Sequence, residues 1–187
     1  MLELALHVLD AMRNSVDAGA DRLELSIQED REHDRMVIQL NDNGKGMAPE
    51  LAEKVLDPFV TTRKTRHVGL GLPLFAAAAR RCEGDFHIRS TPGKGTQLTA
   101  VFRYGHWDRA PLGDMPSAML AILLAERPVN LVYTHRVGSR QFCFDSSELR
   151  QELGDLPLSL PPVRSWILKT LQEGERDLGD SRASSLD

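Results

Sequence analysis

The stretch DNGKGM, from Asp42 to Met47, follows an alternating apolar segment and decides how the first half of the chain folds. The preceding residues, RMVIQLND (35–42), alternate as a half-buried strand does. Gly44 and Gly46 stand two residues apart behind an acid. The stretch is therefore either an ordinary turn or a place where backbone approaches a ligand closely. Alone, it does not distinguish between the two.

Periodicity, glycine and proline predict the other elements of the first half. In the first helix, Ser15 shares a face with apolar residues such as Leu4 and Val8, and Gly19 is suited to end the helix. The first two strands should pair antiparallel. The expected order is helix, strand, strand, short helix, loop, helix, strand, strand, over residues 2–18, 22–28, 35–42, 48–56, 57–72, 73–83, 85–91 and 96–104.

The pattern changes after residue 105. A linker is expected first, then a helix, two strands, a short helix that Asp145 and Glu148 could start as a capping box, and a last helix. The polar end of the chain is expected to be mobile. The predicted units are an α+β domain at 1–105, a linker at 106–116, a small α/β appendage of unknown role at 117–172 and a polar tail at 173–187.

Composition restricts the class of protein. Of the 187 residues, 41% are hydrophobic and 27% charged, as in soluble globular proteins. The net charge is −4 and no basic run occurs, so no nucleic-acid partner is expected. The longest apolar run, residues 118–125, is too short to cross a bilayer. Cys82 and Cys143 lack zinc-ligand spacing and are expected to be buried free thiols. These features favour a cytoplasmic protein.

Four glycine-containing or polar stretches lie where predicted elements meet exposed loops. Each of them alone is weak evidence for a ligand site. Together, in this order and spacing, they form a strong signal. They are DAMRNSVDAGA (10–20), DNGKGM (42–47), VGLGL (68–72) and GKGT (93–96).

These stretches resemble the N, G1, G2 and G3 boxes of the GHKL superfamily, the histidine kinase-like ATPases, and DPFVTTRK (57–64) is similar to the F-box region. The resemblance covers about residues 4 to 104. It implies an α+β, Bergerat-type two-layer sandwich with a mixed sheet that binds ATP and Mg²⁺. The appendage lies outside the resemblance.

The resemblance assigns the base-binding end to the residues around DNGKGM. Asp42 is expected to accept a hydrogen bond from the adenine amino group, since a carboxylate only accepts. Gly44 and Gly46 would let backbone lie close to the base or ribose. Met47 should pack on the base, and Thr96 should bond a water or an amide near it.

Metal and catalytic roles are expected on the first helix. Asn14 matches the residue that binds Mg²⁺ in the family, and its amide oxygen suits a metal held mostly by phosphate and water. Asp10 lies one turn earlier, where the hydrolysing branches carry a glutamate that activates water and most histidine kinases carry an asparagine. The shorter Asp departs from both patterns, so a general base, a Mg²⁺ ligand and a structural residue all stay open.

The stretch VGLGL (68–72), which resembles the G2 box, should close over the triphosphate. Lys64 is expected to neutralise phosphate charge, with Arg63 and Arg66 as alternatives. The short loop predicts an exposed nucleotide. The contacts expected in this stretch are Gly69, Leu70, Gly71 and Leu72.

Three functions are weighed on these features. The first is ATP hydrolysis or phosphoryl transfer to a partner protein, with the phosphoacceptor on another chain because no dimerisation helix pair is recognisable before the N box. The second is a regulatory module that nucleotide occupancy switches with little turnover. The third, a degenerate domain, is disfavoured by the intact glycine boxes.

Overall fold

The computed structural model of the chain describes residues 3–56, 71–154 and 156–179. The strands within those ranges are β1 (Arg22–Asp30), β2 (Arg35–Asp42), β3 (Asp85–Thr91), β4 (Gly95–Arg103), β5 (Asn130–Val137) and β6 (Arg140–Asp145). They form one sheet in the order β3-β4-β2-β1-β5-β6. The β1–β5 pair is parallel and the other four pairs are antiparallel, so the sheet is mixed.

The described helices are α1 (Leu4–Asp17), α2 (Pro49–Lys54), α3 (Gly71–Arg81), α4 (Met115–Leu123), α5 (Ser146–Leu153) and α6 (Pro161–Gly179). In the neighbouring strands β1 and β2, every second side chain is buried. Helices α1, α3 and α4 pack together over that face, and their apolar residues join one buried cluster with those of the strands. Polar side chains such as Ser26 and Gln39 occupy the other face. The predicted α+β two-layer sandwich with a mixed sheet is thus confirmed.

Helix α1 positions the first predicted site residues. Its buried face includes Leu4, Val8 and Met12, which pack into the core. The helix ends where Gly19 adopts a φ of +84°, a conformation that a residue without Cβ reaches easily. The opposite side of α1 leaves Asp10 exposed.

The C-terminal segment extends the same sheet. Strand β5 pairs with β1 from Arg22↔Asn130 to Glu29↔Val137, and β6 then forms the sheet edge. Residues of α4, β5 and α6 belong to the same buried cluster as those of α1. The division of the chain into two domains at residues 106–116 stays a prediction. The sheet itself runs across that division without interruption.

The predicted polar tail begins at residue 173, but the last helix does not end there. Helix α6 continues to Gly179, and Leu178 near its end is buried. Gly174 lies inside this helix, beside Phe142 of β6. A side chain would not fit there, because a Cβ would be 2.2 Å from a ring carbon of Phe142. The absence of a side chain at Gly174 thus allows α6 to pack closely on β6.

The two cysteines differ in environment. Both are free, and Cys82 is buried as expected. Cys143 is exposed, so that part of the prediction is wrong: it pairs with Thr134 on the face of the sheet that the helices leave uncovered. Among the described residues, no helix is long and apolar enough to span a membrane.

Candidate functional site

The carboxylate of Asp42 lies at the end of β2 and is held by three donors. Its Oδ1 accepts from the backbone N–H of Gly44 at 2.9 Å and of Thr96 at 3.1 Å. Its Oδ2 accepts from the Ser15 hydroxyl at 2.7 Å. Each carboxylate oxygen has two lone pairs, so Oδ2 keeps acceptor capacity for a further donor. The half-buried carboxylate is thus oriented but not saturated by these three bonds.

Ser15 is a site residue that the sequence analysis did not identify. It lies on the buried face of α1, and its Oγ is also 3.3 Å from the carbonyl oxygen of Ala11. A hydroxyl on an otherwise apolar helix face needs a hydrogen-bond partner. That rule could have singled out Ser15 beside Asn14, but it could not have named Asp42 as the partner.

The turn after Asp42 is hydrogen-bonded both to the end of α1 and to the β3–β4 hairpin. Lys45 donates its N–H to the Ala18 carbonyl, and its own carbonyl accepts from Gly93. A Cβ on Gly44 would lie 3.1 Å from the Ala18 carbonyl oxygen. The space at this glycine therefore faces protein backbone.

Two further glycines permit backbone to approach backbone. Gly46 has a φ of +63°, and a Cβ there would be 2.0 Å from the Thr91 carbonyl oxygen. Gly95 has a φ of +94°, and a Cβ would be 1.8 Å from the Asp42 carbonyl oxygen. No ordinary side chain fits at either position. The two glycines thus hold the turn of the G1 box against that of the G3 box.

Met47 and Thr96 are brought together through Ser90. The backbone N–H of Met47 donates to Ser90 Oγ at 2.8 Å. The hydroxyl oxygens of Ser90 and Thr96 are 2.9 Å apart. Both Met47 and Thr96 are half-buried. The residues predicted for the base-binding end therefore lie in one hydrogen-bonded group.

Asp10 and the start of α3 also meet. A Cβ on Gly71 would lie 3.4 Å from Asp10 Cβ and 3.6 Å from its Oδ2. Asn14 lies one turn further along the same helix, half-buried. Leu72 packs at the edge of the core. The structure thus places Gly71 beside the predicted catalytic residue.

Three predicted site residues, Lys64, Gly69 and Leu70, lie outside the described residues, as do the alternatives Arg63 and Arg66. Their assignments stay predictions.

His7 has a packing role. Its ring stacks on Phe75 of α3, with centroids 5.3 Å apart and planes 4° from parallel. Burial lowers the pKa of His7, and the nearby charge of Asp10 opposes this shift. The neutral, stacked imidazole agrees with a packed side chain.

The donor set fits a metal that takes few protein ligands. Within residues 3–56, 71–154 and 156–179, no group of three or more His, Cys, Asp or Glu side chains could hold a metal ion. Mg²⁺ commonly takes one or two protein oxygens and completes its shell with phosphate and water. Oxygens from Asn14 and Asp10, one helical turn apart, match that chemistry.

Comparison with known proteins agrees with this geometry. The family described as "Histidine kinase-, DNA gyrase B-, and HSP90-like ATPase" matches residues 2–106. The chain is 35% identical over 95 residues to the signal transduction histidine-protein kinase AtoS of Escherichia coli, covering 50% of this chain and 16% of AtoS. It is 36% identical over 94 residues to the sensor protein kinase FleS of Pseudomonas aeruginosa, covering 50% and 23%. The match therefore spans less than a quarter of these relatives.

A solved structure supports the fold. The N-terminal domain of a DNA repair protein superposes with a TM-score of 0.51 at 14% identity, over 76% of this chain and 52% of that one. At this identity the likeness concerns the fold alone. Since the family match covers more than half of the chain and includes all four glycine boxes, the chain belongs to the histidine kinase-, DNA gyrase B- and HSP90-like ATPases.

Proposed function

We propose that this chain binds Mg·ATP where α1, the end of β2 and the start of β4 meet, and that it hydrolyses ATP or transfers a phosphoryl group to a partner protein. The observation that carries the proposal is the Asp42 carboxylate, which three neutral donors orient while Oδ2 keeps acceptor capacity. An oriented acceptor of this kind suits an amino group on a flat base.

The phosphates would lie toward the start of α3. A helix N-terminus attracts anions, and α3 begins at Gly71, next to Asp10. Gly69, Leu70 and the positive charge of Lys64 would complete the phosphate contacts.

In this proposal Asn14 holds Mg²⁺, with Asp10 either as a second ligand or as a general base. The metal would neutralise charge on the phosphates. Asp10 would in the second case accept a proton from water at its carboxylate.

The kinase names of the relatives support phosphoryl transfer as one form of the activity. AtoS and FleS are called protein kinases. By analogy, the acceptor would be a side chain of another protein, so a protein partner is part of the proposal. A cytoplasmic location and the absence of a nucleic-acid partner are proposed with it.

Titration calorimetry tests nucleotide binding. We expect Asp42→Asn to weaken ATP binding by about 1.5–3 kcal/mol, at least about tenfold, because a charge-assisted hydrogen bond is lost. Asp21→Asn is the matched control. This exposed carboxylate accepts a hydrogen bond from Asn43 beside the same turn and has no part in the hydrogen bonds around Asp42. Equal affinity in wild type and Asp42→Asn would refute the base-binding assignment.

Phosphate release and Mg²⁺ dependence test the role of Asp10 once ATP is bound. If Asp10 is the general base, Asp10→Asn should keep ATP affinity and lose turnover. If it binds metal, the same change should weaken binding only with Mg²⁺ present. If it is structural, only the unfolding temperature should fall. Wild-type chain that binds ATP without turnover would favour the regulatory module or a partner-dependent kinase.

A further inference from the structure

We propose that Ser90 is a positioning residue that fixes the direction of the Thr96 hydroxyl, so that Thr96 offers only an acceptor to the amino edge of a bound purine. This inference rests on the ATP site proposed above and deepens it. Ser90 is outside the four glycine boxes, and its part in the site emerges from the hydrogen bonds of a single hydroxyl.

The position of Ser90 is set by strand register. Ser90 pairs with Thr96 across β3 and β4, and Thr96 pairs with Asp42 across β4 and β2. Directly paired residues in a sheet point to the same side. Because Asp42 reaches Ser15 of α1, this row faces the helices. Ser90 therefore supports Thr96 from the side away from Asp42.

The hydroxyl of Ser90 has three neighbours and one hydrogen. It accepts from the Met47 N–H at 2.8 Å, lies 3.0 Å from the Gly95 carbonyl oxygen and lies 2.9 Å from Thr96 Oγ1. A carbonyl oxygen can only accept, so the Ser90 hydrogen is directed to Gly95. The hydrogen in the remaining contact must then come from Thr96.

This assignment is the one that places a proton in each of the three contacts. If Ser90 instead donated to Thr96, its oxygen would face the Gly95 carbonyl at 3.0 Å with no proton between them. With its hydrogen directed to Ser90, the Thr96 hydroxyl presents lone pairs alone. Asp42 Oδ2 also presents only acceptors, so the two side chains share one preference.

The chemical consequence is selection for a donor on the ligand. An amino group can donate two hydrogens, whereas an unsubstituted purine carbon offers none of comparable strength. Where a site built to bond an N–H meets a ligand without it, the unpaired polar groups cost affinity. Ser90 would thus contribute to recognition without touching the nucleotide.

Calorimetry with ATP and with purine riboside triphosphate, which lacks only the amino group, tests the proposal. Ser90→Ala should weaken ATP binding about two- to tenfold, the size of one neutral hydrogen bond, and weaken the amino-free analogue less. Ser90→Thr should bind both nucleotides as the wild type does, because it keeps the hydroxyl. Ser26→Ala, on the uncovered face of the sheet, is the matched control. If Ser90→Ala does not fold, Ser90→Cys replaces it, since a thiol is a weak donor and acceptor.

A double-mutant cycle separates positioning from general support of the turn. In a Thr96→Val background, Ser90→Ala should leave ATP affinity unchanged. Equal losses for ATP and its analogue, or a loss that persists without the Thr96 hydroxyl, would overturn the role of Ser90 while ATP binding stands. Wild-type chain that binds neither nucleotide would overturn the proposed function, and this inference with it.

Discussion

Two acidic groups face the helices from opposite ends of the β1–β2 pair. Asp42 pairs with Leu23 at one end, and Glu29 pairs with Met36 near the other. Asp42 is held by neutral donors from backbone and a hydroxyl, whereas Glu29 lies 3.4 Å from His135 Nε2 in a buried ion pair. The two carboxylates thus differ in the chemistry of their partners: neutral donors orient Asp42, for which a ligand is proposed, whereas a charged side chain faces Glu29.

Helix α6 contributes further partners to the group around Glu29. His135 Nδ1 lies 2.9 Å from Glu175 Oε2, and the Tyr133 hydroxyl donates to Glu175 Oε1 at 2.6 Å. Although burial by itself lowers it, the hydrogen bond to Glu175 and the charges of Glu175 and Glu29 raise the pKa of His135 to about 9. A protonated imidazole thus links two carboxylates from β1 and α6. No comparable cation contacts Asp42 among the described residues.

The largest effect should come from breaking this buried link. His135→Leu removes the cation that lies between Glu29 and Glu175 and leaves Glu29, among the described residues, only its ion pair with Arg31 at 3.3 Å, so it should lower the free energy of unfolding by about 3–5 kcal/mol. Urea titration measures this change. ATP affinity of the folded fraction should stay as in wild type, since the cluster lies at the other end of the strands.

A control variant exists on α6, the helix that carries Glu175. Lys169 and Glu173 form an exposed ion pair at 3.8 Å, so Lys169→Ala should change stability by less than about 0.5 kcal/mol. Equal effects of the two substitutions would contradict a special structural role for the buried His135.

The second effect concerns the glycines of the candidate site. Gly95→Ala should destabilise by about 3 kcal/mol, since its Cβ would overlap the Asp42 carbonyl oxygen in a positive-φ conformation. Gly93→Ala also has a positive φ but meets nothing within 4 Å, so only the conformational cost of about 1 kcal/mol is expected. Thermal unfolding compares them. Similar losses would show that close approach of the two turns matters little.

The third effect is a pH dependence with a defined sign. The pKa of His135 is higher in the folded chain than its ordinary value of 6.5, so its stabilisation is complete below pH 6.5 and is lost as pH rises through about 9. The loss should approach about 3 kcal/mol. His135→Gln should lack this component, and the difference between the two unfolding curves isolates it. Parallel curves across this range would contradict the charged link.

The glycine boxes and local patterns were sufficient to predict which residues gather around Asp42; their binding of a base stays a proposal. Asp42, Thr96 and the glycines carry short-range signatures. Alternation predicts both strands of the β1–β2 hairpin, although β1 continues two residues beyond its predicted end, to Asp30. The group formed by Glu29, His135 and Glu175 could not be predicted in this way. His135 meets Glu29 only because β5 pairs with β1, more than 100 residues apart in sequence. Nothing local in the sequence encodes that pairing, and the polar composition after residue 172 did not predict the part of α6 that carries Glu175.

The smallest effect tests how far orientation of Asp42 matters for its proposed role. Ser15→Ala removes the donor to Oδ2 and should weaken ATP binding by about 1 kcal/mol, roughly fivefold, as expected for one hydrogen bond. Stability should change little, because alanine favours the helix and water can reach the half-buried carboxylate. Calorimetry and urea titration separate the two quantities. Lower stability with unchanged ATP affinity would make Ser15 a structural residue, and Asp42 would then depend on its backbone donors alone.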